Sequence, residues 1–200
     1  MQDIKYFEKW SVDDLEVKDL GLQRYINTVP KIIPHSHGRH EHKRFRKSNV
    51  NILERFINRL MAPGLSKRKT GGRKTASIAG KKVKTISIVK NVLELINLRT
   101  GKNPIQVLIS AVENAAPKEE TTRISYGGIV YQQAVDVAPQ RRVDLALKFL
   151  VEGSFRASFN NPLTIEEIIA QELIAASQND SKSNAIRRKE EKERLAQSAR

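Results

Sequence analysis

Residues 103–150 read NPIQVLISAVENAAPKEETTRISYGGIVYQQAVDVAPQRRVDLALKFL and contain a helical pattern, a hairpin pattern and a second helical pattern, in that order. The first helix is predicted to begin at Asn103 and Pro104, because asparagine caps helices and proline is tolerated at the first helical position. Its apolar residues recur at helical spacing and stop before Pro117, and the second helix repeats this spacing at Val143, Ala146, Leu147 and Leu150.

The middle of this stretch, residues 123–137, has the pattern of a β-hairpin. Gly127 and Gly128 separate two runs rich in Ile, Val and Tyr, and paired glycines readily adopt the positive φ angles of a tight turn. A two-stranded hairpin is marginally stable by itself. We therefore expect an arm that lies on a partner, and not a sheet with its own core.

The flanking sequence predicts further helices. Apolar residues repeat at helical spacing from Leu53 to Met61 and from Val83 to Ile96, and Gly101 is a plausible end of the second helix. Thr164 and Glu167 have the spacing of a capping box. Residues 185–200 predict a helix that is polar all round, which either packs on a partner or frays.

These elements predict a mainly α protein: a helical, bundle-like domain with a protruding two-stranded β-hairpin arm and basic extensions. We divide the chain into an N-terminal extension and basic arm (1–47), a helical RNA-binding core (48–178) and a polar helical tail (179–200). The hairpin lies within the core at about residues 121–138.

The composition restricts the classes of function. The 200 residues carry a formal net charge of +14, which favours phosphate-rich polymers or anionic membrane surfaces as partners. The absence of cysteine excludes disulfides, thiolate catalysis and Cys-ligated zinc. No apolar run is long enough to span a bilayer, and the first ten residues lack the order of a signal peptide, so we expect no membrane-spanning segment.

The strongest functional signal is a basic loop at residues 66–84, which contains no acidic residue. Cations that neutralise phosphates release condensed counterions, so such a loop predicts salt-dependent binding to nucleic acid. Arg73 interrupts the Gly-Lys-Ser/Thr order that a nucleotide-binding P-loop requires. The loop's candidate RNA-binding residues are Lys67, Arg68, Lys69, Arg73, Lys74, Lys81, Lys82 and Lys84.

A second basic segment, residues 31–47, contains all four histidines of the chain. Clustered imidazoles raise the hypothesis of a metal site, but only Glu41 supplies a nearby carboxylate and the surrounding cations oppose a bound metal. The favoured interpretation is an irregular arm whose cations contact phosphates and bases. Its candidate RNA-binding residues are Arg39, Lys43, Arg44, Arg46 and Lys47.

Two further features leave alternatives open. Tyr126, Ile129 and Tyr131 near the hairpin turn could stack on bases, or the tyrosines could pair across the strands. Arg141 and Arg142 begin a helix, where cations oppose the helix dipole. That position suggests an external anion as their partner, although Asp144 is an alternative one.

Several motifs together resemble one known family, the small-subunit ribosomal protein seven family. They are GRH at 38–40, KRFRK at 43–47, ILER at 52–55, TGKNP at 100–104, RISYGGI at 123–129, DVAPQRRVD at 136–144, SNAIRRK at 183–189 and ER at 193–194. The resemblance covers about residues 30 to 200. Residues 131–135 lack the proline of the bacterial form near Ala134, which favours the archaeal and eukaryotic branch.

The resemblance implies binding to the 3′ major domain of small-subunit ribosomal RNA and a role in assembling the subunit head. Arg39, Lys43, Arg44, Arg46, Lys47 and the loop from Lys67 to Lys84 would hold ribosomal RNA. The hairpin arm (Tyr126, Gly127, Gly128, Ile129 and Tyr131) would approach exit-site tRNA and mRNA.

The family also implies a cytoplasmic, non-enzymatic protein whose other partners are neighbouring ribosomal proteins. We expect no catalytic residue, no cofactor, no bound metal, no membrane partner and no small-molecule substrate. Two alternatives remain at this point. One is a DNA-binding or DNA-compacting basic protein, and the other is a metalloenzyme that uses the histidine cluster.

Overall fold

The structure is a computed structural model that describes residues 4–13, 15–62 and 78–200. Its helices and one antiparallel hairpin confirm the prediction of a mainly α fold with a hairpin arm. No helix in the described ranges is long and apolar enough to cross a membrane. The elements are α1 (Leu20–Gln23), α2 (Ile52–Leu60), α3 (Lys82–Thr100), α4 (Pro104–Ala115), β1 (Glu119–Tyr126), β2 (Ile129–Asp136), α5 (Pro139–Ala157), α6 (Ile165–Ser177) and α7 (Asn184–Gln197).

The helix boundaries follow from local capping chemistry. The Asn103 side chain accepts a hydrogen bond from the N–H of Ile105, and Pro104 occupies the first turn. Thr164 and Glu167 form the predicted capping box. Gly101 ends α3 with φ 65°, a left-handed conformation that glycine adopts without strain.

The hairpin pairs β1 with β2 in antiparallel register, with Tyr126 opposite Ile129 and Glu119 opposite Asp136. Gly127 (φ 57°) and Gly128 (φ 81°) make the turn, as the sequence predicts. Ladder pairing starts at Glu119, slightly before the predicted boundary at residue 121.

The hydrophobic core forms where α2 to α7 meet, and α4 lies near its centre because it packs against α3, α5, α6 and α7. Apolar residues recur along α4 at helical spacing, so most of the helix is buried. Removal of this apolar surface from water is the main stabilising contribution to the domain.

The N-terminal segment joins this core. Tyr6, Leu22 and Ile26 are buried within the same hydrophobic cluster. The Tyr6 hydroxyl donates to the carbonyl oxygen of Thr28 at 2.7 Å and accepts from the Asn51 amide. Burial raises the pKa of Tyr6 to about 12, with the Asn51 hydrogen bond acting in the opposite direction. The N-terminal segment therefore contributes buried residues to the core.

The polar C-terminal helix α7 is held by specific polar contacts and a short apolar face. Ala185 and Ile186 are buried, and the Glu172 carboxylate accepts hydrogen bonds from the Ser183 hydroxyl and the Ala185 N–H at 2.8 and 2.9 Å. Further along, Lys192 lies 3.1 Å from Glu120 at the base of the hairpin. Of the two outcomes expected for a polar helix, packing on a neighbour is the one observed.

The close approach of α5 and α7 predicts that Gly153→Ala destabilises the protein. A Cβ atom at Gly153 would lie 2.9 Å from the Asn184 Cβ and 3.0 Å from Glu172 Oε1. Such overpacking costs about 1–3 kcal/mol, which exceeds the helix-propensity gain of about 1 kcal/mol. Urea denaturation of the full chain should show a lower free energy of unfolding. Leu98→Ala, at an exposed position of α3, is the control, and a more stable Gly153→Ala variant would contradict the packing argument.

Candidate nucleic-acid interface

Those predicted RNA-binding residues that the structure describes occupy three segments: the basic arm, the lysine-rich start of α3 and the arginine-led start of α5. Lys81 and Lys84 are exposed at the start of α3. The remaining loop positions lie outside the described residues; they are Lys67, Arg68, Lys69, Arg73 and Lys74.

Glu54 on α2 joins the basic arm to the start of α3. Its carboxylate is fully buried, accepts a hydrogen bond from the Ser36 N–H at 2.6 Å and lies 3.0 Å from the Lys82 ammonium. Burial acts to raise the pKa of Glu54, but the hydrogen bonds from Ser36 and Lys82 outweigh it and hold the pKa below its ordinary value. Glu54 is therefore a buried carboxylate that fixes two basic segments side by side.

The next residue of α2 joins the same arm to α5. The buried Arg55 guanidinium donates to the Asp144 carboxylate at 2.9 Å and to the carbonyl oxygen of Tyr25. Lys47, at the end of the arm, pairs with the other oxygen of Asp144. All three basic segments are thus anchored to consecutive residues of α2, directly or through Asp144.

The two arginines at the start of α5 bind carboxylates within the chain, and Asp144 forms a salt bridge with neither of them. Arg142, which is mostly buried, lies 2.8 Å from Asp19. Arg141 makes a two-pronged contact with Glu120 at the base of β1. The Arg141 guanidinium holds the pKa of Glu120 below its usual range, with Lys192 acting in the same direction. Asp19 and Glu120 are thus partners that the sequence interpretation missed.

Helices α3 and α5 begin without a capping side chain or a first-turn acidic residue to balance the positive end of the helix dipole. Their N-cap residues, Lys81 and Ala138, make no side-chain capping hydrogen bond, and neither first turn contains an acidic residue. The other α-helices of the described ranges each have a capping side chain. Uncapped helix N-termini attract anions, because their free N–H groups and dipole both favour negative charge.

The basic arm presents its cations outward. It contains two short 3-10 helices, Arg39–His42 and Arg46–Asn49. Four of its cations are exposed and make no ion pair among the described residues. These are Arg39, Lys43, Arg44 and Arg46. They therefore remain available to phosphates.

The histidines of the arm contact one another and its backbone. The rings of His35 and His37 lie 4.0 Å apart, and His40 faces Ser36 and Glu41. Within the described ranges, no group of three or more His, Cys, Asp or Glu side chains is placed to hold a metal ion. The histidines thus contribute to the local structure of the arm.

The hairpin presents an apolar face near its turn. The cross-strand partners Ile124 and Tyr131, and Tyr126 and Ile129, project from the same face because residues alternate along each strand. All four are exposed, and Tyr126 reaches 81% exposure. Each tyrosine lies directly opposite an isoleucine and not opposite the other tyrosine. Stacking of the exposed rings on bases stays a prediction.

Sequence reasoning missed the acidic anchors of this surface. Glu54 and Arg55 interrupt the apolar run of α2, and that interruption is a usable signal, because charged residues are seldom buried unless paired. Their partners, at Ser36, Lys82 and Asp144, are distant along the chain. Only the tertiary structure shows which segments the pair connects.

Comparison with known proteins supports a common family. The model of the family described as "Ribosomal protein S7p/S5e" matches residues 22–200. The chain is 48% identical over 193 residues to the small ribosomal subunit protein uS7 of Methanothermobacter thermautotrophicus, covering 96% of this chain and 97% of the relative. It is also 48% identical over 195 residues to the uS7 of Methanosphaera stadtmanae, covering 98% of each. The resemblance inferred from the motifs, and its archaeal character, are confirmed.

The Glu54 contacts predict that Glu54→Gln lowers the free energy of unfolding at pH 7 by about 1–3 kcal/mol, because the change leaves buried polar groups poorly paired. A carboxyl whose folded-state pKa is lowered stabilises the fold above its ordinary pKa, and the contribution is lost as pH falls through the lowered value. The difference in free energy of unfolding between wild type and variant should therefore become smaller below pH 4.5, the ordinary pKa of a glutamate side chain. Urea denaturation at pH 7 and at lower pH measures both effects.

The matched control is Glu41→Gln, which alters an arm carboxylate whose side chain is 78% exposed. Its effect should stay within about 0.5 kcal/mol at either pH. Equal stability of wild type and the Glu54→Gln variant across the pH range would show that Glu54 does not anchor the arm.

Proposed function

The chain belongs to the ribosomal protein S7p/S5e family, and from this premise we propose how its basic surface engages ribosomal RNA. It is a non-enzymatic, structural constituent of the small ribosomal subunit in the cytoplasm. We propose that it binds the 3′ major domain of the small-subunit ribosomal RNA and helps to assemble the subunit head. The convergence of three basic segments on α2 carries this proposal.

The arm supplies the first part of the proposed contact. Arg39, Lys43, Arg44 and Arg46 are exposed and unpaired within the described part of the chain, so each can engage a phosphate without breaking an internal ion pair. The lack of a carboxylate partner for these four side chains matters, because an internal partner would have to be displaced before RNA could bind.

The uncapped starts of α3 and α5 supply the second part. Both present backbone N–H groups beside cations, an arrangement that suits phosphate oxygens. Glu54 and Asp144 fix these helix ends relative to the arm. The phosphates bound by the helix ends and by the arm must therefore have a defined spacing. A rigid surface of this kind favours a folded RNA over a flexible polyanion.

The hairpin serves a different contact in this proposal. Its exposed face around Tyr126 and Tyr131 lies beyond the ion pairs at its base, so it is free to approach exit-site tRNA and mRNA. Aromatic faces stack on bases of any sequence, which suits ligands that change during translation. Neighbouring ribosomal proteins would contact the remaining surface.

Phosphate neutralisation predicts a steep salt dependence of RNA binding. If about ten phosphates are engaged, the slope of log K against log[KCl] should be about −7 to −9. An alanine variant of the loop should have a slope that is less negative by about 3 to 5. The residues replaced are Lys67, Arg68, Lys69, Arg73 and Lys74. Filter binding to a transcript of the 3′ major domain, at KCl concentrations of about 50 to 300 mM, measures both slopes.

Circular dichroism of this alanine variant is the folding control, and we expect unchanged helix content. Duplex DNA of equal length is the competitor. A flat salt response of the wild type, or a preference for the duplex DNA, would count against ribosomal RNA as the ligand.

The hairpin assignment predicts that shortening the arm separates two activities. Arg123 and Gln132 are cross-strand partners, so replacing residues 124–131 with Asn-Gly joins them through a favourable two-residue turn. The shortened chain should bind the 3′ major domain transcript with wild-type affinity, but subunits assembled with it should hold deacylated tRNA less tightly in the exit site. Loss of transcript affinity would instead make the hairpin a primary ribosomal RNA contact.

A further inference from the structure

A cleft of about 720 Å³ lies between the basic arm, α2 and the start of α5. Several of its lining residues have functions in the anchoring described above, including Arg55 and Asp144. Others have no such function. These include Phe45, Arg59, Gln140 and Lys148.

Gln140 is the unexplained residue of this cleft. It is only 7% exposed, yet neither its amide oxygen nor its amide nitrogen has a hydrogen-bond partner within the described structure. Burial of an unpaired amide opposes folding, so such a group needs a reason. Gln140 lines the cleft, so its amide comes within reach of a ligand bound there once the side-chain torsions adjust. A ligand that both donates to and accepts from the amide would satisfy it.

Phe45 forms an aromatic wall of the same cleft. Its backbone has φ 60°, an uncommon conformation for a bulky residue, and 66% of the residue is exposed. The Arg44 guanidinium lies 5.7 Å from the centre of its ring. An aromatic ring held in solvent beside a cation is a suitable stacking surface for a nucleobase.

Arg59 and Lys148 also line the cleft and provide positive charge there. Both approach Glu152, at 3.8 and 3.7 Å, and so share a single carboxylate at distances too long for strong hydrogen bonds. The Arg59 Nε is also buried without a partner in the described residues. The uncapped N-terminus of α5 adds a further preference for an anion.

We propose that this cleft binds an unstacked adenine nucleotide of the RNA, an inference that rests on the proposed function. The Gln140 oxygen accepts from the adenine N6 amino group and its nitrogen donates to N7, the bidentate pairing that a glutamine side chain makes with adenine. Phe45 stacks on the base, and Arg59 and Lys148 contact the adjacent phosphate. The site adds base specificity to a surface that otherwise contacts phosphates.

The test uses Gln140→Leu, which keeps the approximate volume and removes both polar atoms. Binding to a 3′ major domain transcript should weaken about 10- to 100-fold, as expected for a bidentate base contact. The salt slope should not change, because no cation is lost. The control, Lys148→Gln, should instead reduce the slope by about 1.

A second measurement on the wild-type chain does not depend on the stability of any variant. Transcripts carrying 7-deazaadenosine at random positions lack N7 there, and selection for binding should reveal one adenosine at which the substitution interferes. That interference should disappear with the Gln140→Leu chain. Unchanged affinity of the Gln140→Leu chain, or the absence of any such adenosine, would overturn the adenine site.

The two measurements distinguish failure of the adenine site from failure of ribosomal RNA binding as a whole. If the wild-type chain binds the transcript with a steep salt slope while Gln140→Leu binds equally well, only the adenine site is wrong. If the wild type does not bind the transcript, both proposals fail.

Discussion

The buried carboxylate of Glu54 is the constraint on which the arrangement of the basic surface depends. A basic arm and a lysine-led helix repel each other, so something negative must hold them together. Glu54 does so from inside the protein, through the Ser36 N–H and the Lys82 ammonium. Arg55 extends the same principle to α5 through Asp144. Because these groups lie on one short helix, the relative positions of all three basic segments are set by α2.

The acidic residues of this chain therefore divide its cations into two groups. Lys47, Lys82, Arg141 and Arg142 bind internal carboxylates and hold the scaffold together. Cations such as Arg39, Lys43 and Arg46 have no internal partner in the described ranges and face outward. The formal charge of +14 hides this difference, since it weights every cation equally. A salt slope counts only the phosphates that are engaged, so it distinguishes the two groups.

Local chemistry explains why so much of the fold could be predicted. The capping box at Thr164, the cap and proline that start α4 and the Gly127–Gly128 turn each depend on residues that are close in sequence. The placement of Tyr6 in the core and the anchoring of Arg142 by Asp19 depend on residues far apart in the chain. The same holds for Glu54. Sequence patterns thus identified the basic segments of the candidate site, but the carboxylates that organise them required the tertiary structure.

Helix α5 connects the two proposed contacts of the molecule. Its first turn lies at the basic surface, and Arg141 in that turn binds Glu120 at the base of the hairpin. Lys192 of α7 binds the same carboxylate, and Arg200 pairs with Glu119 beside it. A two-stranded arm has little stability of its own, and these ion pairs, together with the packing of α7 against both strands, hold its base to the domain. Because the first turn of α5 contributes both to the basic surface and to the ion pairs at the base of the arm, the two proposed contacts share one rigid helix.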